Sequence, residues 1–170
     1  MSTSLERAQA LAIQLRQSFK TIILGTATSD GEPDTSPVAA ILDDSGRFGI
    51  CVSGLAVHTR HLQQNRRASV LLAEDEAITL QGFARRRLTF ACTAEPLARG
   101  SAEADRLIAA LRSKFGAPVD VVASLPDFQA IVLTPQRGRI VAGFGEAYDV
   151  DPRDWTKLTA VGRPFLPPKP

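Results

Sequence analysis

The chain has 170 residues, 44% of them hydrophobic and 22% charged, the size and composition of one globular domain that can bury its own core. Lys plus Arg number 20 against 18 Asp plus Glu, and the formal charge of +2 is too small to argue for a nucleic-acid partner. No apolar run approaches the roughly 18 residues of a spanning helix, and the first residues lack the basic-then-apolar order of a secretory signal, so a cytoplasmic protein with no membrane partner is expected.

In chain order, Thr3 and Glu6 form a capping box, and Leu5, Ala8, Leu11, Ala12, Leu15 and Phe19 recur at helical spacing, which predicts an amphipathic helix over 1–19. Residues 21–28, 36–42 and 47–53 read as three strands joined by turns at 29–33 and 43–46. A short helix carrying His58, Thr59, Arg60 and Leu62 should end near Asn65 and lead into a buried strand at 69–73. Residues 85–94 alternate polar and apolar as a further strand. Ser101 caps a second amphipathic helix through Leu107, Ile108, Leu111 and Phe115, ended by Gly116 and Pro118, with a weaker helical turn at 119–124.

A last strand pair is expected from 128–134 and 140–147, turning across Pro135, Gln136, Arg137 and Gly138. Asp151, Pro152 and Trp155 indicate a final turn, and Pro164, Pro167, Pro168 and Pro170 make 150–170 a proline-rich tail. No repeat or linker divides the chain, so 1–170 is one domain. Six or seven strands in meander order, with helices at the start and inserted between strands, predict a mainly β fold with flanking helices, built as a small antiparallel barrel. Such a barrel fills its interior with side chains, so a ligand would bind on the outer wall or at a subunit boundary.

Residues 53–87 concentrate the chemistry: both histidines, two arginine clusters and an acidic triplet. His58 and His61 lie three apart on one helix face, but no third ligand is indicated, and no metal is assigned. His58 reads as a structural helix histidine or as a donor to a ligand phosphate or propionate, or to a carboxylate such as Asp127 across a dimer. On a strand, Arg86 would point away from Arg85 and Arg87, so one of them, Arg86, would reach a ligand while the others are solvated or pair with Glu74, Asp75 and Glu76. Gly143, Phe144 and Gly145 lack the third glycine and the βαβ setting of a dinucleotide loop; Phe144 would instead pack in the core or cover a ring system. Cys51 and Cys92 read as buried thiols. With no Ser/His/Asp set, P-loop or paired carboxylates, any reactivity would come from a cofactor.

The run GRFGICVSGLAVHTRHLQQNRRASVLLAEDE resembles the FMN-binding split-barrel, or pyridoxamine 5'-phosphate oxidase-like, superfamily. The blocks at 84–89 (ARRRLT) and 137–147 (RGRIVAGFGEA) resemble its bacterial haem-utilisation branch, of HugZ/HutZ type. The resemblance implies an antiparallel split barrel and a homodimer, with a small planar cofactor, FMN or alternatively haem, in two equivalent crevices at the interface. In the oxidases basic residues grip the flavin phosphate; the matching positions here are about Thr35, Ala40, Val57 and His58. Phosphate would then rest on backbone N–H groups near 53–59, with Ser53, Thr59 and Arg60 beside it. The branch holds iron through a tail histidine, which 150–170 lacks, leaving Tyr148, His58 or His61 as donors. The C-terminal segment that recognises vitamin B6 substrate has no counterpart. FMN-dependent oxidoreductase-like chemistry, haem binding or degradation, and a non-catalytic dimer that has lost its cofactor all follow from these features, with flavin placed first.

Overall fold

The computed structural model describes residues 2–161, so the prolines at 164, 167, 168 and 170 lie outside the described residues. Six strands close into an antiparallel barrel: β1 (Thr21–Ala27), β2 (Pro33–Leu42), β3 (Phe48–Ser53), β4 (Arg67–Ala73), β5 (Arg87–Pro96) and β6 (Phe128–Gly143). Their order is β3-β2-β1-β4-β5-β6, and pairing of β3 with β6 completes the ring. β7 (Glu146–Asp151) and β8 (Asp154–Ala160) extend the sheet from β6. The helices are α1 (Ser4–Ser18), α2 (Val57–Gln64), α3 (Ala102–Phe115) and α4 (Pro118–Ser124). The fold is the antiparallel split barrel expected from the sequence, and none of these helices is long and apolar enough to cross a membrane.

Local signals explain most element ends. The Thr3 hydroxyl accepts from the Glu6 N–H at 3.2 Å while Glu6 accepts from the Thr3 N–H at 2.7 Å, so two free donors of α1 are satisfied reciprocally. Ser101 caps α3, and Gly116, at φ +80°, ends it in a conformation that a side chain would strain.

Two expectations are corrected. The pair of strands across Pro135 to Gly138 is one 16-residue strand, β6, because the register slips opposite Ala91 and Cys92: Ala91 faces Arg137 while Cys92 faces Pro135. The bulge absorbs Gln136, and a proline that lacks an N–H is tolerated in such a place. The hairpin comes later, where Gly145 adopts φ +72° between β6 and β7. The described residues also hold eight strands rather than six or seven, since the turn at Asp151 and Pro152 leads into β8.

That extra strand seats Trp155, which is 1% exposed, in the barrel, with ring centroids 4.9 Å from Phe90 and 6.0 Å from Phe48. Gly138 faces the same cluster; a Cβ there would come within 2.5 Å of the Phe90 ring. α2 packs against β1 and β2 at one end of the barrel and buries Leu62 completely. That end, the α2 end, holds Thr26, Asp34 and the Ser53/Phe128 pair, whereas Ala73, Arg87 and Val141 pair in register at the other.

One wall stays bare. The outward residues of β2, β1, β4, β5 and β6 align in rows, such as Thr35, Gly25, Ser69, Ala91 and Arg137, and among the described residues no α-helix packs closely on β4 or β5. Most of these side chains are small and uncharged, so the surface is flat.

Candidate functional site

The turn from β3 into α2 is tied to the end of β6. Ser53 Oγ donates to Asp127 Oδ2 at 2.6 Å, the Gly54 N–H donates to the Asp127 carbonyl at 2.6 Å, and Thr59 Oγ1 donates to the Ser53 carbonyl at 2.6 Å. A Cβ on Gly54 would lie 2.9 Å from the Asp127 carbonyl oxygen, so only glycine permits this approach. Thr59 is fully buried and its hydroxyl is committed to this brace.

α2 directs its two histidines differently. His61 is 9% exposed, with Nδ1 hydrogen-bonded to Thr26 Oγ1 at 3.1 Å, so it serves the barrel end. His58 is half-buried, and its Nδ1 shares a 3.1 Å hydrogen bond with Ser36 Oγ, beside Asp34. Burial holds the His58 imidazole below its ordinary pKa of 6.5, with nearby Asp34 pulling it up and His61 pushing it down, so the ring is neutral at pH 7. Asp127, considered above as a carboxylate for His58 across a dimer, is engaged by Ser53 of its own chain. Arg60 is exposed on the same helix, and its guanidinium has no protein partner among the described residues.

Arg86 and Phe144 lie at the far end of the barrel. β5 begins at Arg87, so Arg85 and Arg86 precede the strand and do not follow its alternation. Arg86 Nε donates to Glu74 Oε2 at 2.6 Å and its N–H to Oε1 at 3.1 Å, while Arg85 donates twice to the Glu74 carbonyl. Phe144 is 84% exposed in the β6–β7 turn. Within one chain the six candidate residues therefore form two groups, Ser53, His58, Thr59 and Arg60 at the α2 end, and Arg86 and Phe144 at the other.

An open groove of about 790 Å3 on the bare wall, lined by Arg87, Thr89, Arg137, Arg139 and Asp149, was not singled out from the sequence. Arg139 is paired with Asp149 at 2.8 Å, whereas the Arg137 guanidinium has no protein partner among the described residues. The period-two spacing of Arg137 and Arg139 was the available signal. No group of three or more His, Cys, Asp or Glu that could hold a metal ion occurs among the described residues.

A family model described as pyridoxamine 5'-phosphate oxidase matches residues 9–142, from α1 through the last barrel strand. The chain belongs to this family. Among relatives within and around the family, it is 36% identical over 141 residues to heme oxygenase HutZ of Vibrio cholerae, covering 83% of this chain and 80% of that protein. A crystal structure of Vibrio cholerae HutZ, there described as a heme storage protein, superposes with a TM-score of 0.72 at 32% identity, over 76% of this chain and 91% of that one. Campylobacter jejuni ChuZ gives 0.77 at 25% identity over 98% of this chain and 68% of its own. A heme binding protein from Mycobacterium smegmatis gives 0.69 at 29% identity over 92% and 61%. The family membership accounts for the closed barrel, and the similarity to HutZ extends over most of both chains.

Proposed function

We propose that this protein is a cytoplasmic haem-binding member of the pyridoxamine 5'-phosphate oxidase family, acting as a homodimer with haem in a crevice between two barrels. The observation that carries this reading is its 36% identity to heme oxygenase HutZ over 80% of that protein's length. The chain's own chemistry agrees with it. At the positions matching the flavin-phosphate grip stand Thr35, Ala40 and Val57 together with a His58 that is neutral at pH 7, so no permanent cation is provided there. Arg87 and Arg137, on the bare wall, are suited to carboxylates such as the two haem propionates.

Haem needs one or two axial donors rather than a cage of ligands. Of the side chains considered as donors, Tyr148 is 9% exposed within the barrel core and His61 is 9% exposed on Thr26. His58 is the accessible one: Ser36 Oγ, which donates to Asp34, can accept from the Nδ1–H of His58, and that tautomer leaves the Nε2 lone pair for a ligand. The bare wall supports the dimer, because a flat face of small side chains on β1, β4 and β5 has no helix packed closely on it among the described residues.

Flavin remains the second reading. Family membership favours it, and the backbone N–H groups at the start of α2, next to Arg60, suit a phosphate without a dedicated cation. Absorption spectroscopy separates the two. Stoichiometric hemin titration should give a sharp Soret band that changes in His58→Ala, whereas dialysis should remove added FMN. Retention of FMN with no Soret shift would reverse the order of the readings, and failure to retain either would support a dimer without a cofactor.

A further inference from the structure

A cavity of about 220 Å3 lies behind the turn from β3 into α2, on the side of the barrel that α3 and α4 cover rather than on the bare wall. Leu97 and Ile108 give it apolar lining, and Gln63, Arg99, Asp127 and Gln129 give it polar lining. It is smaller than the roughly 300–1,000 Å3 of sites for drug-sized ligands, which limits any occupant to a small molecule.

The two charges in this lining are opposite, and no ion pair joins them. Arg99 commits its terminal nitrogens to the end of α4: Nη1 donates to the Leu125 and Pro126 carbonyls at 2.9 and 3.3 Å, and Nη2 to those of Ala123 and Ser124 at 3.2 and 3.3 Å. Its Nε–H has no protein partner among the described residues, and carbonyls supply no counter-ion. The Arg99 charge reaches the cavity wall, since burial pushes the Cys51 thiol there upward and Arg99 draws it back. Asp127 accepts from Ser53 through Oδ2, while Oδ1 has no protein partner among the described residues. The two amides add neutral capacity: Gln63 Nε2 donates to Gln129 Oε1 at 3.3 Å, which leaves Gln63 Oε1 as an acceptor and Gln129 Nε2 as a donor. An unpaired cation and an unpaired anion on one small cavity match a molecule that carries both charges and a short apolar body. A ligand with one charge would leave the other wall charge without a partner.

We infer that this cavity is a second ligand site that takes a small zwitterion, an α-amino acid with an aliphatic side chain, its ammonium on Asp127 and its carboxylate on Arg99. The site stands apart from the haem reading and from the dimer. It touches the α2 end nonetheless: Gln63 belongs to α2, and Asp127 is the residue to which Ser53 and Gly54 donate, so an occupant bears on the turn that leads to His58.

L-Leucine is the probe, read by the amide NMR signals of the full chain, with isocaproate and isoamylamine as the same body lacking one charge or the other. L-Leucine should move the Gly54, Asp127 and Gln129 signals saturably, and each single-charge analogue should bind about tenfold more weakly or worse, the worth of one charge-assisted hydrogen bond. Asp127→Asn, which can still accept from Ser53, should weaken leucine binding by a similar factor, and Ala123→Phe, which fills the cavity, should abolish it, both with an unchanged circular dichroism spectrum. The comparison of the three probes on the wild type stands even where a substitution disturbs folding. No saturable shift with L-leucine, equal binding of the three probes, or a response that survives Ala123→Phe overturns the inference. Shifts centred on Arg87 and Arg137 also overturn it, because they put the binding on the bare wall. Hemin titration of the same protein succeeds or fails independently of these results.

Discussion

His58 is the residue on which the proposed haem ligation turns, and its environment sets its protonation. Burial depresses its pKa below 6.5, more than Asp34 restores it, so an NMR titration of the ring should find a midpoint below 6.5. The linked stability follows in sign. Above pH 6.5 the folded and unfolded states are both neutral and the contribution is complete; as pH falls from 6.5 toward the folded midpoint, the unfolded chain takes the proton first and stability declines. Ser36→Ala should disturb the ring's orientation and broaden the Soret change on hemin addition while leaving the fold intact. The thiols behave oppositely to reactive ones. Burial pushes Cys92 up to about 12, so a thiol reagent should fail to modify it in the folded protein and should titrate both cysteines after unfolding.

At the scale of elements, the site depends on how α2 is hung from the strands. Thr59→Val removes the hydroxyl that holds the Ser53 carbonyl in a fully buried place, and a loss of about 1–3 kcal/mol in chemical denaturation is expected. β6 depends on a small residue in mid-strand. Gly138→Ala would drive a methyl group into the fully buried Phe90 ring, with a cost of about 1–3 kcal/mol read as a lower denaturation midpoint. The brace of the 74–87 connection is electrostatic. Burial of Glu74 opposes ionisation, but the Arg86 N–H and guanidinium outweigh it and hold the carboxyl below 4.5, so this contribution is complete above pH 4.5 and is lost as pH falls below it. Arg86 is 41% exposed in its side chain, and solvent screening limits the loss in Glu74→Ala to about 1 kcal/mol.

For the whole molecule, Trp155 shows how an element outside the ring stabilises it. The indole lies against Phe48 and Phe90 with Arg16 over its face at 5.5 Å, so Trp155→Ala should cost about 3–5 kcal/mol, measured by calorimetry or denaturant unfolding. Period and capping chemistry in the sequence determined the helices, five of the six barrel strands and the Gly116 stop, because each of these signals lies within a few residues of its effect, while the family followed from the resemblance of longer blocks. The groups Ser53, His58, Thr59 and Arg60 could be placed together for the same reason, since they share one turn and one short helix. Tertiary structure alone decided the rest. Closure of β3 on β6 pairs Phe48 with Leu133, and the bulge that carries β6 through Pro135 lies opposite Ala91 and Cys92 of β5. Each of these depends on residues brought together by ring closure across tens of positions, a contact whose cost and gain no local pattern records.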